Sequence, residues 1–389
     1  MPRTDEVLDA LATVEPTRPA AERLGLAMAP LQLRRAWPRA PDHLLLEYSG
    51  AGGEIVAGQW LGDPGVQARV ERATVGAGPR VAVTRTAAGV EVLLQAGGAD
   101  RHLAGLAPLL AAPGATLLGH RAERRAVVRL AVNDGERYAK VLRPERAAAA
   151  AAALRDVSEL GAGFASPKVL GIDAGAGVVV SAPLAGSSLH ELLGSTAGRP
   201  AARAAGLALA ALHAAEPPPG AAGRNAAAEE ATALKTWLLR LEPYAPELSR
   251  ATAGVADDVL RALAGSPAAE TVLLHRDLHD KQIFVEADGR VGLLDFDTLA
   301  TGPAALDVAN LLVHLELRAL QGRCAPGEAR AIAAELLAGY GSSREVPGGL
   351  GGWADATRLR LACVYAFRPR WRSVAPALLG LIGGAPEGS

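Results

Sequence analysis

Strand-like runs fill the first third of the chain, and helical patterns fill most of the rest. His43 to Tyr48, Glu54 to Trp60, Arg80 to Thr86 and Gly89 to Leu94 read as strands, the last two joined as a hairpin at Ala87-Ala88. Residues 1 to about 40 mix short helical patterns with Pro and Arg, and a short helix is expected over Leu103 to Leu110 before Pro113-Gly114. Thr116 to Leu142 reads as three strands, with Asn133-Asp134-Gly135 as the turn into the last of them. Arg146 to Leu160, with alanine at every position from Ala147 to Ala153, is a strong helix. A short strand follows at Gly177 to Ala182, then helices over Pro200 to Ala215 and Ala226 to Leu241. Val308 to Leu320, Glu328 to Tyr340 and a basic segment after the Gly-rich Pro347 to Gly352 are helical as well.

One stretch interrupts the helical part. Val272 to Leu274 is an apolar run that leads into His275-Arg276-Asp277-Leu278-His279-Asp280-Lys281-Gln282. Strands at Ile283 to Val285 and Val291 to Leu294 flank the turn Asp288-Gly289, and Asp295-Phe296-Asp297 sits where the second strand ends. A hairpin of that length folds Asp295 back beside Gln282. A carboxylate near a pair of oxygen ligands suits phosphoryl transfer, which needs a base for a hydroxyl proton and hard oxygens for magnesium. Taken singly, each aspartate reads equally as a turn or capping residue.

HRDLHDKQ followed by LLDFD resembles the core of the aminoglycoside phosphotransferase family, relatives of the protein kinases, whose template is His-Arg-Asp, four residues, Asn, and later Asp-Phe-Gly. The resemblance covers roughly residues 116 to 340. It implies an α+β, two-lobed protein-kinase-like fold with a small β-rich N-lobe and a mainly helical C-lobe. It also implies ATP and Mg2+ as cofactors. Asp277 matches the catalytic aspartate, Asp295 the metal-binding aspartate, and Gln282 stands at the metal-binding Asn. Gln there is similar to the maltokinase and sugar-kinase branch, and His279 follows the HxDLHxxN pattern of small-molecule kinases. Lys140, in Tyr-Ala-Lys-Val-Leu, resembles the strand lysine that binds nucleotide phosphates. Alone on its strand it reads equally as a solvent-facing residue.

The resemblance divides the chain at 1–114 (an N-terminal α+β extension or cap), 115–183 (N-lobe) and 184–389 (helical C-lobe). Three departures mark this chain. The expected glycine triad is absent from Gly119-His120-Arg121-Ala122-Glu123-Arg124, where Arg121 and Arg124 either reach phosphate or face solvent. The interior of the Arg146 to Leu160 helix carries no glutamate for Lys140. The segment after Asp295 keeps only Asp307 at the family spacing, with bracing of the loop as its expected role; His275 is expected to be a packed loop anchor. By the resemblance Pro183 to Leu189 is the hinge between lobes, whose backbone groups would face adenine, or else a plain strand-to-helix linker; Trp237, Glu242 and Tyr244 are candidates for the acceptor pocket, although the helical spacing of Trp237 with Leu234 and Leu241 favours the core. Phe367 to Trp371, with Arg368, Arg370 and Arg372, is expected to be a solvated helix end on the C-lobe, or else a contact for an anionic substrate group.

Composition narrows the classes. The chain has 389 residues, is 50% apolar but 4% aromatic, and has a formal net charge of −1, which gives no electrostatic case for nucleic acid or acidic membranes. Two cysteines make no disulfide framework and suit a reducing cytoplasm. No leader and no membrane span are expected. The expected activity is phosphorylation of a hydroxyl on a small molecule, of sugar or amino-sugar type. A nucleotide-binding pseudokinase and a protein kinase are the alternatives, and oligomeric state is open.

Overall fold

Alternating apolar residues in the first hundred positions build one antiparallel sheet. The computed structural model describes residues 4–384 except 77, 79, 134, 162, 219–220, 222–225 and 266–269. The sheet runs in the order Thr13–Val14, Leu31–Ala40, His43–Ser49, Ile55–Leu61, Glu91–Gln95, Val81–Arg85. The hairpin expected around Ala87-Ala88 forms, with Arg85 opposite Glu91. Two elements of this region differ from expectation. Leu31–Ala40 is a ten-residue strand where short helical patterns with Pro and Arg were read; its register shifts between Leu33 and Arg35 and between Pro38 and Ala40, which breaks the alternation. Pro64–Val75 is a helix, started by the Asp63 side chain accepting from the amides of Gly65 and Val66.

A second antiparallel sheet holds Val169–Asp173, Val178–Ser181, Gly135–Leu142, Arg125–Val132 and Ala115–Arg121, in that order. Its three-strand core is the one expected between Thr116 and Leu142; the central residue of the expected turn, Asp134, lies outside the described residues. Helix Pro144–Glu159 packs along this sheet through Ala147 and Ala151 against Val179.

The remainder is mainly helical, so a small β-rich lobe sits beside a helical lobe, with an α+β extension ahead of both. Helices Gly198–Ala214 and Pro326–Gly341 cross at backbone contact. A Cβ on Gly206 would stand 2.0 Å from the Leu336 carbonyl oxygen, and one on Gly339 would stand 2.0 Å from that of Arg203. Only glycine fits at either point. Helix Pro246–Ala264 lies outside the helices expected from the sequence, and helix Leu350–Ala366 begins inside the Gly-rich segment Pro347 to Gly352 rather than after it. No helix among the described residues is long and apolar enough to cross a membrane.

One face of the N-terminal sheet closes on helix Pro64–Val75 through Leu61, Val70, Val81 and Leu93, but the other does not close a core by itself. Val7, Leu11, Leu33, Leu46, Tyr48 and Val92 share one buried cluster with Leu241, Tyr244, Cys363, Ala366 and Phe367. Tyr244 stacks edge-on to Phe367 at 5.7 Å, and its hydroxyl donates to the Ala40 carbonyl at 2.6 Å. Tyr244 is therefore an anchor for the extension rather than a pocket wall, and Trp237 tilts against Phe367 in the same cluster.

Candidate active site

The loop at 275–282 leaves strand Thr271–Leu274 and enters strand Ile283–Val285. That strand pairs with Val291–Leu293, and the Leu294 amide donates to the Gln282 carbonyl at 2.9 Å. The hairpin thus sets Asp295 one residue from the partner of Gln282, as the strand lengths require. Asp277 lies on the same loop, half-buried, and its carboxylate makes no hydrogen bond or ion pair with the described residues. The Gln282 side-chain oxygen accepts from the His279 amide at 3.2 Å.

Two aspartates hold the loop from below. Asp307 accepts from the amides of His275 and Arg276, at 2.7 Å each. Those bonds hold Arg276 at φ +71°, a left-handed conformation unfavourable for a side chain of this size. His275 is fully buried, donates from Nε2 to the Leu294 carbonyl at 2.8 Å and packs on Phe296 at 5.0 Å. Both residues have the bracing roles read from the sequence. The second aspartate, Asp280, forms a two-pronged pair with Arg318 and a bond to His190. Burial would raise its pKa, but His190 and Arg318 outweigh burial and keep it well below the usual carboxylate range.

Helix Ala305–Leu320 carries most of these contacts on one face. Asp307, Asn310, His314 and Arg318 follow one another at three- and four-residue steps. Asn310 donates to the Leu278 carbonyl at 2.7 Å, and the His314 ring lies 4.9 Å from that of His279. Burial drives both rings toward the neutral form. Asn310, His314 and Arg318 escaped the sequence reading. The signal was there: Asp307, Asn310, His314 and Arg318 recur at helical period in a helix whose other residues, Glu316 apart, are Leu, Val and Ala.

Lys140 comes from strand Gly135–Leu142 and meets the end of the hairpin. Its Nζ lies 2.7 Å from Asp295 Oδ1 and 2.6 Å from Asp297 Oδ2. Arg125 Nη1 adds a contact to Asp295 Oδ2 at 3.3 Å. Burial would raise the Asp295 pKa; Lys140 and then Arg125 override it and hold the group ionised. Asp295 itself adopts φ +67°, so strain marks both the start of the loop and the end of the hairpin. Lys140 and Asp295 thus meet, Gln282 is tied by its backbone carbonyl to Leu294 beside Asp295, and Asp297, given no role from sequence, is the second carboxylate on the lysine. No group of three or more His, Cys, Asp or Glu side chains poised for a metal occurs among the described residues.

The turn where a glycine-rich loop was expected is docked against the N-terminal extension. Ala122 is buried with Trp37, Leu45 and Ala57. Glu123, at φ +60°, is bound by Arg101 Nε at 2.7 Å and Gln59 Nε2 at 3.3 Å. Asp100 fastens the same turn, accepting from His120 Nε2 at 2.9 Å and the Glu123 amide at 2.7 Å. Arg121 does not extend into solvent; its guanidinium lies 5.1 Å from the centre of the Trp37 ring. Arg368 lies 5.3 Å from that centre, and Arg372 pairs with Asp9. The basic segment at 367–372 therefore packs on the extension, which corrects the expectation of a solvated helix end on the C-lobe. The cause is Phe367, which the shared core draws inward.

A family model for the phosphotransferase enzyme family matches residues 114–347. No curated protein sequence matches the chain. Among solved structures, amicoumacin kinase hAmiN in complex with AMP-PNP, Ca2+ and Ami is 17% identical with a TM-score of 0.52, over 70% of this chain and 88% of that one. A choline/ethanolamine kinase family protein from Mesorhizobium loti is 19% identical, TM-score 0.50, over 72% and 92%. A thermostable mutant of aminoglycoside phosphotransferase APH(4)-Ia is 16% identical, TM-score 0.51, over 70% and 95%. These likenesses are of fold, and they agree with the two-lobed architecture. With well over half of its length matched by the family model, the chain belongs to the phosphotransferase enzyme family and is an ATP-dependent small-molecule kinase.

Proposed function

We propose that the protein transfers the γ-phosphoryl group of ATP, with magnesium, to a hydroxyl of a sugar or amino-sugar type compound. The observation that carries this reading is the unengaged Asp277 carboxylate on a loop braced by Asp307 and Asp280, with Lys140 paired to Asp295 at the end of the hairpin that follows the loop. Asp277 accepts the hydroxyl proton and orients the attacking oxygen. Lys140 takes the phosphates, and Arg125 stands beside it as a second cation. The work of the site is positioning and charge stabilisation.

The residues fit a divalent ion. Asp295 is kept ionised and already draws two cations, and Asp297 shares both of them. Magnesium is usually held by one or two protein oxygens besides phosphates and waters. Asp295 and the amide oxygen of Gln282 would supply those, and the bond from His279 to that oxygen is long enough to be exchanged. When bound, the ion would neutralise charge on the phosphates.

We read the chain as an extension at 1–114, an N-lobe at 115–183 and a helical C-lobe at 184–389. hAmiN is an amicoumacin kinase and APH(4)-Ia an aminoglycoside phosphotransferase, and the likeness to them supports a small hydroxyl compound as acceptor. The test is ADP release from the purified protein with sugars and amino sugars, at several magnesium concentrations. Acceptor-stimulated release that disappears in Asp277→Asn supports the reading. Equal stimulation in the variant overturns it.

A further inference from the structure

Three distant parts of the chain bring arginines to one indole ring. Trp37 belongs to the N-terminal sheet, Arg121 ends the first strand of the small lobe, and Arg368 follows helix Leu350–Ala366. Both guanidiniums lie over Trp37, at 5.1 and 5.3 Å from its centre. Arg39 and Arg124 flank them closely enough to depress the Arg121 pKa. Among the described residues, Arg121, Arg124 and Arg368 make no ion pair, and the nearest carboxylate oxygen to Arg39 is that of Glu123 at 4.0 Å. The Arg121 Nε, Arg368 Nη1 and Arg39 Nη1 atoms are buried with no hydrogen-bond partner.

Packing alone does not account for this. A cation over an indole is favourable, but a second one on the same ring adds like-charge repulsion. Burial, then the surrounding arginines, lowers Arg121 to about 9 and Arg368 to about 10. Both stay charged at neutral pH, in a setting that disfavours charge. Two buried acids lie nearby, and neither forms an ion pair with Arg121, Arg124 or Arg368. Glu47 faces Arg34 and Arg35 and accepts the His120 amide; its charge also acts on Arg368, and its Oε1 makes no hydrogen bond. Glu123 serves Arg101 and Gln59. Unpaired planar forks in a half-buried cluster are the chemistry that recognises a carboxylate or phosphate.

The cluster also connects to the Lys140–Asp295 pair. Arg121 pairs across the sheet with Arg125, which holds Asp295. The cations that touch the Asp295-Phe296-Asp297 segment are Lys140 and Arg125, and the Trp37 cluster is a separate set. We infer that Arg39, Arg121, Arg124 and Arg368 around Trp37 form an anion subsite, through which the N-terminal extension helps bind a carboxylate- or phosphate-bearing acceptor. That the anion belongs to the acceptor rests on the phosphotransfer reading above; that the cluster binds an anion does not.

Inorganic phosphate is the probe, followed by calorimetry and thermal unfolding of the full chain with and without saturating magnesium AMP-PNP. Phosphate should bind and raise Tm in both conditions, and Arg368→Gln should weaken its binding at least tenfold. Without phosphate, Arg368→Gln should unfold at the wild-type temperature or higher, because it removes a buried unpaired cation; a purely structural arginine would lower it. If Arg368→Gln does not fold, Arg121→Gln serves in its place. Absence of phosphate binding, or phosphate binding that either variant leaves unchanged, overturns the subsite. Binding abolished by AMP-PNP assigns the cluster to nucleotide phosphates and overturns it as an acceptor site. Failure of the kinase reading would show instead as no ADP release with any acceptor, whatever phosphate does.

Discussion

Lys140 and Asp297 meet directly, Nζ to Oδ2 at 2.6 Å, across 157 residues of sequence. The helix beside the lysine, Pro144–Glu159, has no glutamate in its interior, and its glutamates at either end leave Lys140 to the two aspartates. Asp297 therefore takes the anchoring role that a helix glutamate would otherwise fill. Asp297→Ala should raise the KM for ATP about tenfold and lower kcat less, since charge-assisted bonds count for about 1.5–3 kcal/mol and partial exposure reduces that. Steady-state kinetics in ATP decides it; an unchanged KM would make the pair incidental. Lys140→Ala should impair ATP use more severely in the same assay.

Asp277→Asn keeps the shape of the loop and removes the proton acceptor. Turnover should fall by roughly 10² to 10⁴ while nucleotide affinity stays near wild type. Single-turnover rates alongside nucleotide titration separate the two effects.

Asp295→Ala should abolish turnover. Gln282→Ala should raise the magnesium concentration for half-maximal rate by a few-fold, and Gln282→Asn, one methylene shorter, should also impair the enzyme. Initial rates against free magnesium test all three, and identical curves for wild type and Gln282→Ala would remove Gln282 from the metal site.

Asp307→Ala strips two backbone amides of their acceptor and lets Arg276 leave its left-handed conformation. The expected result is a loss of kcat of roughly tenfold or more, as for other misplaced catalytic loops, with ATP affinity nearly intact. Thermal unfolding in parallel should show destabilisation on the order of 2 kcal/mol, from buried donors left unpaired.

Asp100 carries a pH-dependent share of stability. Burial pushes its pKa up, but the bond from His120 and the amides of Glu123 and His102 bring it below the ordinary value. A depressed carboxylate stabilises the fold above its unfolded pKa of about 3.9, and that contribution fades as pH falls from there through the lower folded value. Asp100→Asn should cost about 2 kcal/mol at pH 7 in urea unfolding, and the gap should narrow below about pH 4. A gap constant with pH would show that the carboxylate's charge is not what matters.

The hairpin, the loop and the position of Lys140 were legible because each rests on local chemistry: a Gly-bearing turn, strand alternation, and motif spacing. The Asp307 brace was legible from its place at a helix start. What failed to show has a common cause. Leu31–Ala40 carries Pro38 and three arginines because its exposed edge and bulges meet other parts of the chain, so period two is lost. Tyr244, Phe367 and Arg368 took their places from partners more than a hundred residues away, which no local pattern encodes. Asp297 was in view but has meaning only once Lys140 lies across from it.

The core shared between the first sheet and the last long helix sets an order of events on folding. Val7, Leu11 and Leu46 find their full set of neighbours only when Cys363, Ala366 and Phe367 have been synthesised, more than 300 residues later. Until then the first hundred residues present an open apolar face, in a chain that emerges at roughly 5–20 residues per second. The extension can form its strand pairs early but cannot be sealed early, so contacts of extreme sequence separation close last and slowly. Ribosome-bound chains ending before residue 360 should therefore keep that sheet sensitive to protease, and release of the complete chain should protect both ends together.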